Sequence, residues 1–433
     1  MKTLFKILIL FCTLLITMTS SGQAITCKLT GQILRRDSKT LVLFRATEDP
    51  GRITKTFIPI NNGKFEYTLN APCIEAYCLI FQDELEIGNY RYILFFPENG
   101  STVFKLHSKA ESEQDEIIGG RLTSEYYNYF RLNRDAFLPQ KKVIRDSIAE
   151  LKTRDEYFST EFKVQQEKQK IAHEKTRSAN STESDFEISV AQTKILQHMM
   201  DRGEYVSSKG KALNDKMDSL TVLENKRKLN YIENNPSLVS YYLLIQETIG
   251  LEYWRGITIG DIETIASKFR EKYPDHPYTK MMALMLESLL KIKVGGKYYD
   301  FSAPDLNGQF YKLSEVIEGK YAVIDLWATW CGPCIVGSRN LLPIYEEFKE
   351  KGFTICGVAR EYKNTDALKN RIEKEKFPWI NLVEMDDKNQ IWLHYNVQGG
   401  GRKFLVDNKG TILAIEPSAD EIRKILGEKL NQE

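Results

Sequence analysis

The run Ala322-Val-Ile-Asp-Leu-Trp-Ala-Thr-Trp-Cys-Gly-Pro-Cys334 restricts the fold of this 433-residue chain more tightly than any other segment. Val323 to Trp327 has the β-branched and aromatic content of a buried strand. Beyond the second cysteine, Leu341, Leu342, Ile344, Tyr345 and Phe348 recur at helical spacing, which predicts a helix from Cys334 through Phe348. Both thiols therefore fall at a strand-to-helix junction.

That junction has a chemical consequence. The first amides of a helix lack intrahelical partners and point outward, so a thiolate at Cys331 is stabilised there and is nucleophilic near neutral pH. Two intervening residues let Cys334 reach back to Cys331, so a mixed disulfide is resolved within the chain. Pro333 suits a first helical turn, where its missing N–H costs nothing. Asp325 lies in the apolar strand six residues before Cys331. Burial makes a carboxylate a stronger base, which suits Asp325 to take the Cys334 proton during resolution. A Cys-x-x-Cys pair also serves as half of a zinc site, but no second pair or Cys/His cluster accompanies it. The redox reading is preferred and no metal is expected.

Further motifs lie on either side: Ala303-Pro304-Asp305 and Tyr311-Lys-Leu-Ser314 upstream, Lys376-Phe-Pro-Trp379 and Phe404-Leu-Val-Asp407-Asn-Lys-Gly410 downstream. With Trp-Cys-Gly-Pro-Cys, they make the segment from about residue 293 onward resemble the thioredoxin-fold domains of the secreted TlpA/ResA type, related to the AhpC/TSA group. The resemblance implies an α/β domain with a central mixed sheet, a hairpin-like lead from about Phe301, strands Lys403 to Val406 and Thr411 to Ile415, and a final helix Ala419 to Leu430. It implies thiol–disulfide exchange on protein substrates, in the reducing direction, with a membrane electron donor and no bound cofactor. Cys331 would attack, Cys334 would resolve by closing a disulfide to Cys331, and Asp325 would accept the proton. Trp330, Gly332 and Pro333 on one side, and Gly400, Gly401 and Arg402 on the other, would shape the docking surface.

Three positions depart from the family. Where relatives carry Tyr-x-Val-x-Gly-x-Pro, with a cis-proline beside the dithiol, this chain reads Tyr395-Asn-Val397-Gln-Gly399-Gly400-Gly401-Arg402. Gly401 holds the proline's place, and a trans or mobile loop is expected because a cis bond before a non-proline residue costs about 2.5–4 kcal/mol. In the family this loop pairs with substrate backbone, so Arg402 at the next position would alter what it accepts. The Glu three residues after the second cysteine is Gly337, and the kink-forming Pro two residues later is Arg339. These departures keep a second reading open, a non-enzymatic envelope binding protein on a degenerate thioredoxin scaffold. A thiol peroxidase is a third, but Asp325-Leu-Trp-Ala-Thr329-Trp-Cys331 lacks the proline of that motif, leaving only Thr329 in its favour.

At the other end, Lys2 and Lys6 precede an apolar stretch, Ile7 to Met18, too short to span a bilayer comfortably, and Gly22-Gln-Ala24 suits a cleavage site. Residues 1–24 thus read as a secretory signal peptide, preferred over an uncleaved anchor, and place the protein in the periplasm. Ala24-Ile-Thr26 is a poor lipobox for Cys27. Net charge is +1, and −1 once Lys2 and Lys6 leave, which argues against a nucleic-acid partner. Cys12 leaves with the leader. Cys73 and Cys78 fall on opposite faces of a β-like run and cannot bridge each other, pairing of Cys27 with either stays open, and Cys356 reads as core.

Residues 25–118 form a β-rich N-terminal region. Its runs are Leu41-Val-Leu-Phe44, Ile53 to Ile60, Phe65 to Leu69, Tyr77 to Phe81 and Tyr92 to Phe96. They are separated by Asp49-Pro-Gly51, Asn61-Asn-Gly63 and Glu98-Asn-Gly100. A small sandwich or barrel is expected, similar, through Asn62-Gly-Lys-Phe65, to a domain of unknown function often fused to TlpA-like domains. Residues 119–292 read as helical, with Tyr126 to Phe130, Val143 to Leu151 and Met217 to Leu229 carrying dense charge and apolar residues at helical spacing. Arg177 to Ser184, Asn234-Asn-Pro236-Ser and Tyr273-Pro-Asp-His-Pro277 break them. The domain organisation is thus leader, β-rich region, helical region and a thioredoxin-like domain over 293–433. His107, His173, His198, His276 and His394 show no metal-ligand spacing. Gly399-Gly-Gly401 lacks the Gly-Lys-Ser/Thr ending of a phosphate loop.

Overall fold

The computed structural model describes residues 24–48, 55–176, 182–251, 255–397 and 399–430. The expected leader, apart from Ala24, lies outside them. So do the turn Asp49-Pro-Gly51, Ile53, the loop residues Arg177 to Ser181, and Gln398.

The N-terminal region folds as β1 (Ile25–Ile33), β2 (Thr40–Arg45), β3 (Thr56–Pro59), β4 (Lys64–Ala71), β5 (Tyr77–Phe81), the short helix α1 (Gln82–Glu86), β6 (Ile93–Phe95), β7 (Gly100–Leu106) and β8 (Glu116–Ile118). Two four-stranded sheets result, in the orders β4-β1-β7-β8 and β3-β2-β5-β6. They enclose a core in which Cys27, Leu29 and Phe104 of the first meet Leu43, Leu79 and Phe81 of the second. Along β1 buried and exposed residues alternate at Ile25 to Leu29, because the other face of its sheet meets solvent. The turn at Asn62 and Gly63 carries the chain from β3 in one sheet to β4 in the other. Both residues take positive φ, +50° and +71°, which Asn and Gly tolerate.

The helical region consists of α2 (Arg121–Thr153), α3 (Thr160–Thr176), α4 (Glu183–Asp201), α5 (Ser208–Asn234), α6 (Leu238–Ile249), α7 (Ile259–Lys272) and α8 (Pro277–Lys291). The Tyr126 and Val143 stretches lie on one 33-residue helix, which continues through Pro139. Tyr129 of the aromatic cluster packs on Tyr231, with ring centroids 4.7 Å apart. The helices cover the outer face of the second β-sheet: Val42, Phe44, Cys78, Ile80, Leu94 and Phe96 share a core with Tyr129, Tyr242, Ile262 and Tyr278. Every residue of β5 is therefore buried, which is why Tyr77 to Phe81 reads as an unbroken apolar run. Tyr278 joins the two regions directly, its hydroxyl accepting a 2.6 Å hydrogen bond from the Ala76 amide.

The C-terminal part contains β9 (Ser302–Pro304), β10 (Phe310–Lys312), α9 (Leu313–Ile317), β11 (Tyr321–Trp327), α10 (Gly332–Arg339), α11 (Leu342–Phe348), β12 (Phe353–Glu361), α12 (Asp366–Glu375), β13 (Ile380–Met385), α13 (Ile391–His394), β14 (Arg402–Val406), β15 (Ile412–Ile415) and α14 (Ala419–Leu430). Its five-stranded sheet runs β13-β12-β11-β14-β15. β11, β12 and β13 are parallel, and β14 and β15 are antiparallel. One face packs on α9 and α13, the other on α10, α11, α12 and α14. This is the thioredoxin-like α/β fold that the motifs imply, and β9–β10 is its hairpin lead.

One expectation is corrected. The helix predicted from Cys334 through Phe348 is two helices, broken at Asn340 and Leu341. Pro343 stands in the first turn of α11. It has no N–H to give the Arg339 carbonyl four residues back, so the helix stops there although Arg339 itself is not a proline.

Tyr278→Phe leaves the buried Ala76 amide without its acceptor. Urea denaturation should show a loss of about 1–3 kcal/mol, with the β-region and helical-region signals shifting together because they share one core.

Candidate active site

β11 is buried from Ala322 to Trp327 and ends at the surface turn that presents the cysteines. Cys331 caps α10: its carbonyl accepts from Ile335 N at 3.1 Å, and its Sγ from Cys334 N at 3.3 Å. An amide of the helix's first turn thus points at the first sulfur. Cys331 and Cys334 are joined by a disulfide, with Cα atoms 5.3 Å apart, and both are partly exposed.

Six of the residues expected at the site, Cys331, Pro333, Cys334, Gly400, Gly401 and Arg402, line one cleft of about 390 Å³. Gly332 and Trp330 are exposed beside it, Trp330 at 49 %. The glycine loop touches the disulfide with its main chain. A Cβ on Gly400 would fall 2.6 Å from Cys331 Sγ, and one on Gly401 would fall 1.9 Å from the Leu326 carbonyl oxygen. Neither position has room for a side chain, and no cis peptide bond occurs among the described residues.

Asp325 is fully buried beneath α10. Ser338 Oγ donates to its Oδ2 at 2.5 Å and also lies 3.0 Å from the Cys334 carbonyl. Lys403 Nζ is 3.2 Å from Asp325 Oδ1, off the axis of a hydrogen bond, so that contact is ionic. Sequence reasoning missed both partners. Ser338 is four residues past Cys334, one helical turn on, whereas Lys403 depends on the antiparallel register that sets it opposite Asp325. A Cβ on Gly337 would lie 2.8 Å from Lys403 Nζ, so the bare glycine leaves the ammonium its space.

Two glutamates were also missed. Glu361 accepts from Thr329 N and Thr329 Oγ1, both at 3.1 Å, and pins the turn before Trp330. Burial raises its pKa and these hydrogen bonds oppose the rise. Glu384 is fully buried with Asn389 N donating to Oε1 at 2.8 Å, and burial raises its pKa to about 7. Trp379 and Phe377 of the downstream motif are packing residues, stacked at 5.0 Å behind Trp327.

The other described cysteines are free. Burial raises the Cys356 pKa to about 12 and that of Cys73 to about 11, and lifts Cys78 as well, so these thiols are poor nucleophiles. Cys27 lies in the sandwich core, 3.5 Å from Thr102 Oγ1, and Cys78 belongs to the separate core under the helices.

The chain matches the AhpC/TSA family over residues 294–415. It is similar to the thiol-disulfide oxidoreductase ResA of Bacillus thuringiensis subsp. konkukian (strain 97-27), 30% identical over 145 residues, which cover 33% of this chain and 79% of that protein. The thiol:disulfide interchange protein DsbE of Pseudomonas fluorescens biotype C is 29% identical over 119 residues, 28% of this chain and 64% of that one. Among solved structures, the thioredoxin domain of a thiol-disulfide oxidoreductase from Bacteroides vulgatus is 29% identical. It covers 33% of this chain and 100% of its own, with a TM-score of 0.30.

Glu384 ties stability to pH. Its pKa is raised on folding, so its contribution is complete below about pH 4.5 and lost as pH rises through about 7. Glu384→Gln should match the wild type near pH 4.5 and exceed it at pH 8 by on the order of 2–3 kcal/mol, measured by urea unfolding across that range.

Proposed function

Through its C-terminal third the chain belongs to the thiol–disulfide oxidoreductase family, and on that premise we propose that it reduces disulfides of protein substrates in the periplasm through Cys331 and Cys334. The observation that carries this reading is the position of Cys331 Sγ. It is partly exposed at a cleft, receives the Cys334 amide, and is already bonded to the resolving sulfur.

In the dithiol form Cys331 attacks as thiolate. Its sulfur bonds to one sulfur of the substrate disulfide, the substrate S–S bond breaks, and the departing thiolate takes a proton from solvent. Cys334 then loses its proton to Asp325 and attacks Cys331 Sγ. The mixed disulfide breaks, the second substrate sulfur leaves as a thiolate that takes up a proton from solvent, Asp325 returns its proton to solvent, and the Cys331–Cys334 disulfide closes. Two electrons pass to the substrate, so no bound cofactor is needed. Resetting the pair takes two electrons from a dithiol donor at the membrane.

Asp325 suits the base role because Ser338 ties it to α10 one turn beyond Cys334. Trp330, Gly332 and Pro333 form one rim of the docking surface, and Gly400, Gly401 and Arg402 form the other. The leader-like N-terminus supports the periplasmic assignment.

On a disulfide-bonded peptide, Cys331→Ser should abolish exchange, and Cys334→Ser should trap the mixed disulfide, visible on a non-reducing gel. Wild-type exchange no faster than that of an unactivated thiol would instead favour the scaffold reading. Asp325→Asn should leave the first attack intact and slow resolution by about 10²-fold, as measured by stopped-flow decay of the mixed disulfide.

A further inference from the structure

The loop over the dithiol is three consecutive glycines, the most freely rotating backbone available, and yet it lies in contact with Cys331. Gly399 has φ +79°, and Gly400 and Gly401 approach the disulfide and β11 too closely for any side chain. A segment of this composition stays in one place only if something outside it fixes it.

Arg360, at the end of β12, makes that connection. Its Nη1 donates to the Gly399 carbonyl at 3.2 Å. The rest of the guanidinium is immobilised: Nε and Nη2 each donate to one oxygen of Asp387, both at 2.6 Å. Asp387 Oδ2 also accepts from the Tyr362 hydroxyl at 3.0 Å, and the Trp392 ring lies 5.2 Å from the guanidinium carbon. A planar fork used in this way has its third edge aimed in one direction, which a lysine cannot reproduce.

We propose that Arg360, oriented by Asp387, is a positioning residue that holds the Gly399–Gly401 main chain beside Cys331 and so sets how tightly peptide disulfides dock. The inference rests on Cys331 being the attacking thiol. A polypeptide reaching Cys331 through the cleft meets the glycine loop as bare main chain, so the loop's placement decides whether the peptide backbone finds its partner. A small disulfide needs only the sulfur.

The test uses the full-length protein with two substrates, a disulfide-bonded peptide and 5,5′-dithiobis(2-nitrobenzoate), and compares wild type with Arg360→Gln, Arg360→Lys and Asp387→Asn. Arg360→Gln should raise KM for the peptide about tenfold with kcat nearly unchanged, and leave the rate on the small disulfide at the wild-type value. Arg360→Lys should not restore KM, and Asp387→Asn should shift it in the same direction. Wild-type KM in both Arg360→Gln and Asp387→Asn, or equal losses on both substrates, would overturn the proposal. Should Arg360→Gln not fold, as judged by circular dichroism, Asp387→Asn decides, since it keeps the arginine. A wild type that exchanges with neither substrate would refute the oxidoreductase reading itself, a result separable from any effect of Arg360.

Discussion

A carboxylate with no solvent contact in the central strand of a sheet has to be compensated on every side, and Asp325 is in that position. Ser338 supplies a hydrogen bond and Lys403 a counter-charge, and each arrangement constrains something else. Ser338 fixes the rotation of α10 and therefore where Cys334 sits. Lys403 enters from β14 and needs Gly337 to be bare. β14 in turn follows directly on the glycine loop that lies against Cys331. Removing one partner would leave a buried charge uncompensated, so the strand, the helix and the loop are energetically linked through a single side chain.

The remainder of the molecule is held by burial. The β-sandwich has an inner core, and its second sheet has a further one shared with the helices. Long helices such as α2 are rich in charge, and their stability comes from the apolar stripe laid on that sheet, with capping at Thr182, Ser207, Ser237 and Thr258 closing helix N-termini.

Local features were legible in the sequence. The strand-to-helix junction at Cys331, the prolines that separate the helices and the strand Tyr77 to Phe81 all follow from composition and spacing over short windows. β1, β7 and β8 were overlooked as separate strands; the first adjoins the leader, and the last has three residues. With Arg339 where relatives place a kink-forming proline, the run from Cys334 to Phe348 reads as one helix, whereas the missing N–H that ends it belongs to Pro343, four residues on. Lys403, Glu361 and Arg360 were illegible for one shared reason. Each meets its partner across strands or between loops, and which side chains face one another there depends on register, which local pattern does not specify.

The outer face of the second β-sheet has a consequence for how the protein is made. Its residues, Val42 to Phe96, appear early in the chain, but the core they join is completed only by α8, where Tyr278, Met282 and Met285 reside. A chain that emerges N-terminus first presents every strand of that sheet long before the helices that cover it. For that interval a complete apolar surface stands open to any other apolar chain nearby, so the newborn protein is most prone to aggregate when its sandwich is already built.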